Sequence, residues 1–287
     1  MIEFWVILTG VLVGITCSIA GVFLVLRKMS MIADAISHTV LFGIVISFLV
    51  TQALTGVSMF IGAALAGLLT AFLVQYLRSN GIQEDAAIGI IFTTLFAISV
   101  LLITIFAGDV HLDVEHVLMG EFAFVPWDKL TLFGVDMPKA IWMLGIALVL
   151  NVLLLIVFFK EFKLSTFDPV YAASIGIPIV FMHYLFMMMI SLTTVSAFDS
   201  VGAILVIAML IGPAATAYLI SRSLKQMFSF AISFGVMAAI GGYYVAKWLD
   251  TSIAGMMAVM VGFLFIVVFI GQLINKKLMK NHLQSNV

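Results

Sequence analysis

Asp34 and His38 stand four residues apart in the stretch Ala33-Asp34-Ala35-Ile36-Ser37-His38, a spacing that sets both side chains on one helix face, one turn apart. The flanking sequence is apolar. An aspartate at the centre of a spanning helix costs roughly 2.5–3.5 kcal/mol to insert, so it calls for a partner or an aqueous pathway. One carboxylate and one imidazole on a face make half a metal site. Oxygen and nitrogen donors together suit borderline divalent ions such as Mn, Fe and Zn better than Ca or Cu(I). A symmetric dimer that joined two such helices would supply two aspartates and two histidines. Spacing alone leaves two other readings open: an Asp–His hydrogen bond that neutralises a buried carboxylate, and an aspartate that caps a helix start.

The remaining polar residues carry weaker signals. Asp109, His111, Asp113, Glu115 and His116 form a second polar group, which would attract cations to a pore mouth or simply solvate a loop. His183 fits a hydrogen bond within a helix bundle, and Asp199, ahead of Ser200 and Gly202, fits a cap or turn. His282 lies in the terminal tail and points to nothing. A lone Cys17 in an apolar run cannot form an internal disulfide. The 18 Met and 25 Phe read as packing and lipid-facing residues.

The elements that must position these groups follow from composition. The chain has 287 residues, 64% of them hydrophobic and only 9% charged, whereas soluble domains run near 25% charged. A helical span takes about 20 apolar residues, so the fold class is all-α: a polytopic membrane helical bundle of about nine transmembrane helices. Apolar runs lie at about 4–26, 31–50, 57–77, 86–106, 140–159, 179–197, 201–221, 227–248 and 255–275. No cleavable signal peptide is expected, because the first run starts at once and is long enough to span. An outside N-terminus puts Arg27, Lys28, Arg78, Lys160, Lys163, Arg222, Lys225, Lys276, Lys277 and Lys280 in the cytoplasm and leaves Lys129, Lys139 and Lys247 outside. That positive-inside bias predicts N-out and C-in. Residues 1–287 read as one transmembrane domain. The extracellular connection 107–139, punctuated by Val117, Leu118, Phe122, Phe124, Trp127, Leu130 and Phe133, is expected to hold short interfacial or re-entrant helices.

Several function classes drop out. The chain has no room for its own globular enzyme domain, and a net charge of −1 gives no basic field for nucleic acid. No GxxxxGK[S/T] phosphate loop occurs, so any ATP would be hydrolysed by another chain. Gly10, Gly14 and Ser18 repeat at four-residue intervals and would let a second helix approach the first span closely. The inner connection 163–178 contains Ser165, Thr166 and Asp168 as possible helix starters, Pro169 for a first turn, and Gly176 ahead of Pro178 as a stop. A short surface helix there would have a lever's position between a docked partner and the flanking spans; a plain loop is the alternative.

Four stretches, in this order and spacing, resemble the permease subunits of bacterial ABC importers for manganese, zinc and iron: Val25-Leu26-Arg27-Lys28-Met29-Ser30 with Asp34-Ala35-Ile36-Ser37-His38; Glu84-Asp85-Ala86-Ala87-Ile88-Gly89-Ile90; Phe167-Asp168-Pro169 through Ala172 to Gly176; and Val201-Gly202-Ala203-Ile204-Leu205-Val206 through Ile211-Gly212-Pro213-Ala214-Ala215-Thr216-Ala217. The resemblance spans nearly the whole chain. It implies a fold like that of the type II importers for siderophores and cobalamin, without the equivalent of their first helix, in a bacterial cytoplasmic membrane. It also implies the partners: a second copy of the chain, two cytoplasmic ATP-binding subunits, and an extracellular solute-binding protein that delivers the ion. By the same resemblance Asp34 and His38 hold the metal in transit, with no permanently bound cofactor. Phe167, Asp168, Pro169, Ala172 and Gly176 belong to the coupling helix that seats in the ATPase, while Val170 and Tyr171 receive no separate role. Where many members of the family carry proline, this chain has Leu41-Phe42-Gly43. The stretch Ser30 to Gly43 looks most like the manganese branch, which favours Mn(II), with Zn(II) or Fe(II) behind it.

Two other classes make distinct predictions. A secondary transporter relaying protons through Asp34 and His38 would work without any ATPase. A membrane scaffold would be indifferent to loss of either side chain. An imidazole must be neutral to ligate, so a metal pathway through His38 predicts uptake that falls on acidification.

Overall fold

In lipid, every backbone N–H and C=O must find a partner within the protein, and a helix pairs them within its own segment. The computed structural model, which describes residues 2–51, 57–106, 122, 125–132 and 135–284, is helical wherever the sequence is continuously apolar. In chain order come α1 (Ile2–Leu26), α2 (Ser30–Thr51), α3 (Val57–Ser79), α4 (Glu84–Phe106), the strands β1 (Lys129–Leu132) and β2 (Val135–Pro138), α5 (Lys139–Val157), α6 (Phe159–Phe167), α7 (Pro169–Ser174), α8 (Ile179–Ile220), α9 (Leu224–Leu249) and α10 (Ile253–Gln284). Among the described residues, nine segments are long and apolar enough to cross a membrane. The chain is an all-α polytopic membrane bundle.

Helix α8 contains two of those segments, Ile179–Phe198 and Ser200–Ile220. They are divided at Gly202, whose backbone is non-helical at φ 76°, ψ 165°. This left-handed φ is open to glycine at little cost and strained for a residue with a Cβ. The cap or turn expected near Asp199 is thus a kinked junction between two helices, with its non-helical residue three positions on at Gly202; the Asp199 side chain lies outside the described residues.

A central core joins α1, α6, α8 and α9. Phe23 meets Phe162 at 5.7 Å, Phe186 at 6.3 Å and Phe228 at 5.6 Å between ring centroids. Ile190, Leu205, Met209 and Leu210 are fully buried around them. Small residues set the helix separations. A Cβ on Gly14 would stand 2.8 Å from the Gly235 carbonyl oxygen, a Cβ on Gly10 would meet the Met257 side chain, and Ser18 Oγ donates to the Ala231 carbonyl at 3.0 Å. The Gly10, Gly14, Ser18 stripe is therefore the seam along which α9 approaches α1, with the Met257 side chain of α10 reaching in at Gly10. On the lipid-type surface, Val149, Leu153 and Ile156 of α5 and Val259, Phe263 and Ile266 of α10 are exposed.

Helix α2 is held against α3 by a second glycine pair. A Cβ on Gly43 would collide with the Gly62 carbonyl, and one on Gly62 would stand 2.6 Å from the Gly43 carbonyl oxygen. Thr70 Oγ1 donates to Thr39 Oγ1 at 2.8 Å across the same interface. Since the obstacle at Gly43 is backbone, Gly43→Ala must push the helices apart. We expect it to lower stability by about 1–3 kcal/mol, as overpacking does, read as a lower Tm of the purified protein in detergent.

The later part of the connection 107–139 holds two strands, which the expectation of short helices did not include. Lys129–Leu132 and Val135–Pro138 pair antiparallel, with Leu130 opposite Met137 and Leu132 opposite Val135. The apolar residues alternate with Lys129, Thr131 and Asp136, a period of two that suits a ribbon. Residues 107–121, including Asp109, His111, Asp113, Glu115 and His116, lie outside the described residues.

Candidate functional site

The turn that launches α2 is built by the end of α1. Lys28 adopts a left-handed backbone at φ 58°; its N–H donates to the Val25 carbonyl at 3.1 Å and the Met29 N–H to the Leu24 carbonyl at 3.0 Å. This pair of bonds closes the helix in a Schellman motif, with Met29 and Leu24 buried in the same cluster. Helix α2 then starts at Ser30, and Asp34 and His38 follow within its first three turns.

His38 Nε2 and Asp34 Oδ1 are 3.4 Å apart, and the side chains are 30% and 37% exposed, respectively. That separation is longer than an ordinary hydrogen bond. It matches the span between two ligand atoms that each sit about 2.1 Å from one ion at an angle of roughly 110°. Helix α4 fixes the imidazole from the side, with Phe92 at 5.6 Å and Phe96 at 5.9 Å from its ring centre. The two phenyl rings restrict rotation of His38 and leave its Nε2 facing the carboxylate. Alpha-helical spacing brought Asp34 and His38 together as expected; Phe92 and Phe96 are the members of the site that the α2 sequence could not name. Their own four-residue spacing on an apolar span is the signal they carry.

Among the described residues, no cluster of three or more His, Cys, Asp or Glu is arranged to hold a metal. One chain therefore offers one carboxylate and one imidazole side by side on a face that remains partly open. Met31, Ile46 and Val50 of α2 are exposed as well. On α4, Thr93, Thr94, Ala97, Ile98 and Leu101 line an open groove of about 520 Å³. His183 is half-buried on α8 and packs edge-on against Tyr184 at 5.7 Å, away from any ligand cluster among the described residues.

The second candidate segment is α6–α7. Asp168 is the helix starter among the three candidates: its Oδ1 accepts from the Tyr171 N–H at 2.9 Å, and Pro169 takes the first turn. Gly176, at φ 88°, ends α7 with the Gly176 N–H donating to the Ala173 carbonyl at 3.1 Å and the Ile177 N–H to the Ala172 carbonyl at 3.0 Å. Ala172 faces inward, fully buried, whereas Phe167, Val170, Tyr171 and Ile175 are exposed, Val170 by 80%. The short capped helix thus presents an apolar outward face.

Arg27, from the first sequence stretch, reaches this segment. Its Nε donates to Thr166 Oγ1 at 3.0 Å and its Nη2 to Ser165 Oγ at 2.9 Å. The guanidinium lies over the Phe186 ring at 4.7 Å. Burial pushes its pKa down to about 10, which leaves it charged at neutral pH. The Glu84-Asp85 stretch has a plainer part: both carboxylates sit in the first turn of α4, where they complement the helix dipole, and Glu84 pairs with Arg78 at 3.3 Å.

Comparison with known proteins bears on what these two segments do together. The sequence matches the ABC 3 transport family over residues 1–272. It is 55% identical over 288 aligned positions to the manganese transport system membrane protein MntD of Bacillus subtilis, covering 99% of this chain and 98% of that one. It is 42% identical to the zinc transport system membrane protein TroD of Treponema pallidum, covering 92% and 72% of the two chains. Among solved structures, PsaBC from Streptococcus pneumoniae in complex with Fab aligns with a TM-score of 0.77 at 33% identity, over 92% of this chain and 90% of that chain. The chain belongs to the ABC 3 transport family and is the multi-pass membrane permease of an ABC metal importer, the component that forms the path rather than the one that hydrolyses ATP.

Proposed function

We propose that this permease carries Mn(II) into the cytoplasm, with Asp34 and His38 as the ligands that hold the ion in transit. The observation that carries this reading is the 3.4 Å separation of His38 Nε2 and Asp34 Oδ1 on a half-exposed helix face. An ion that must leave again needs few ligands from each chain. A second copy facing the first would double the set to two carboxylates and two imidazoles. Manganese is favoured over zinc by the similarity to MntD. Zinc binds most nitrogen and oxygen sites more tightly than manganese, so selection for manganese rests on geometry and on the delivering protein.

In this reading the N-terminus is outside and the C-terminus cytoplasmic, which the distribution of Lys and Arg supports. An extracellular solute-binding protein releases the ion to the outward-open pair of permeases. Two ATP-binding subunits seat against Phe167, Val170 and Tyr171 at the cytoplasmic end, with Asp168, Pro169, Ala172 and Gly176 giving that surface its shape. ATP-driven closure of those subunits then reverses access to the ion.

Reconstitution tests the reading. Proteoliposomes holding the permease, its ATPase and its binding protein should accumulate Mn(II) only when ATP is present on the ATPase side. Accumulation driven by a proton gradient without the ATPase would overturn it in favour of a secondary transporter.

A further inference from the structure

The docking segment and the Asp34–His38 pair lie on different elements, and the turn between α1 and α2 is where they meet. Arg27 caps the end of α1, and α2 begins at Ser30 after the Lys28–Met29 turn. Its guanidinium spans from that turn to Ser165 and Thr166, just ahead of Asp168 and α7. The hydroxyls are oriented to receive it. Thr166 Oγ1 donates to the Phe162 carbonyl at 2.6 Å and Ser165 Oγ to the same carbonyl at 3.2 Å, so their lone pairs are left for the arginine. Phe162 is itself fully buried against Phe23, which holds α6 to α1. Among the described residues no carboxylate pairs with Arg27. The link is therefore a planar two-donor fork on neutral acceptors, over an aromatic face, firm in direction yet separable.

We propose that Arg27 is a positioning residue for transport: it links the docking segment to α2, so that movement of α7 by the ATPase reaches Asp34 and His38. This rests on the reading of α7 as the coupling helix. A buried staple would hold the fold and nothing more. A transmitting strut also fixes how many ions cross for each ATP spent.

The experiment uses the complete transporter in proteoliposomes, measuring Mn(II) uptake and ATP hydrolysis on the same preparation. For Arg27→Gln, uptake per ATP should fall about tenfold while hydrolysis stays within about twofold of wild type, a factor within the usual range of coupling between sites. The double variant Ser165→Ala/Thr166→Val removes the acceptors instead and should reproduce that loss. Arg27→Lys keeps the charge without the fork and should fall between. An unchanged ratio in Arg27→Gln, or uptake and hydrolysis falling together in proportion to the amount of assembled complex, would overturn the proposal. Val170→Asp, assayed beside them by co-purification of the ATPase, separates the two ideas. If it retains the ATPase, the coupling-helix reading itself fails; if it releases the ATPase while Arg27→Gln keeps the wild-type ratio, only the strut does.

Discussion

Asp34→Asn and His38→Ala should each abolish most manganese uptake by intact cells, at membrane levels equal to wild type. On the proposed reading each substitution removes one of the two ligands a single chain would contribute, and in a transporter built from two copies it would remove that ligand twice. Losing even an outer-shell partner of a ligand typically costs about 10–100-fold in affinity or activity, so direct ligand loss should cost at least that. Neither change should unfold the protein, because both side chains are half-exposed on α2 and α2 is anchored elsewhere, by Gly43 against Gly62 and by Thr39 against Thr70. Loss of zinc uptake with manganese spared would move the substrate assignment. Normal uptake of both metals would return Asp34 and His38 to a structural pair.

Val170→Asp and Phe167→Ala should uncouple the permease from its ATPase without disturbing the bundle. Both residues are largely exposed, so the folded state loses little. A docked ATPase would instead meet a carboxylate, or a missing aromatic, at the centre of its contact. Central interface residues commonly cost more than about 2 kcal/mol when changed, which corresponds to a roughly 30-fold weaker complex. Co-purification of the ATPase with the tagged permease, and ATP-dependent uptake, should fall together. A variant complex that remained intact would place the docking surface elsewhere. Ala172 makes a poorer test because it is fully buried, and a charge there would disrupt α7 directly.

How much of this was legible in the sequence depends on the range of the forces involved. Span positions follow from local hydropathy, so the expected run at 86–106 lies within α4 at Glu84–Phe106 and that at 201–221 falls beside Ser200–Ile220. The shared face of Asp34 and His38 follows from helix periodicity alone. The choice among Ser165, Thr166 and Asp168 did not, because all three can cap and only tertiary context engages two of them with Arg27. Phe92 and Phe96 reach His38 from another helix, and no spacing within α2 encodes that. The ribbon at Lys129–Pro138 was hidden by its length: four residues a strand is too short for alternation to stand out from a mixed apolar loop. Gly202 was visible as a glycine, but its left-handed backbone at the junction of two helices was not.

Pulsed electron paramagnetic resonance of Mn(II) in the complete transporter, loaded by its binding protein and held before ATP is added, tests the central claim most directly. Nitrogen hyperfine coupling to permease-bound manganese, lost in His38→Ala while the bound ion is still detected with a weaker affinity, is the expected result. A manganese signal with the same nitrogen coupling in wild type and His38→Ala would contradict it and put the pathway's ligands elsewhere in the bundle.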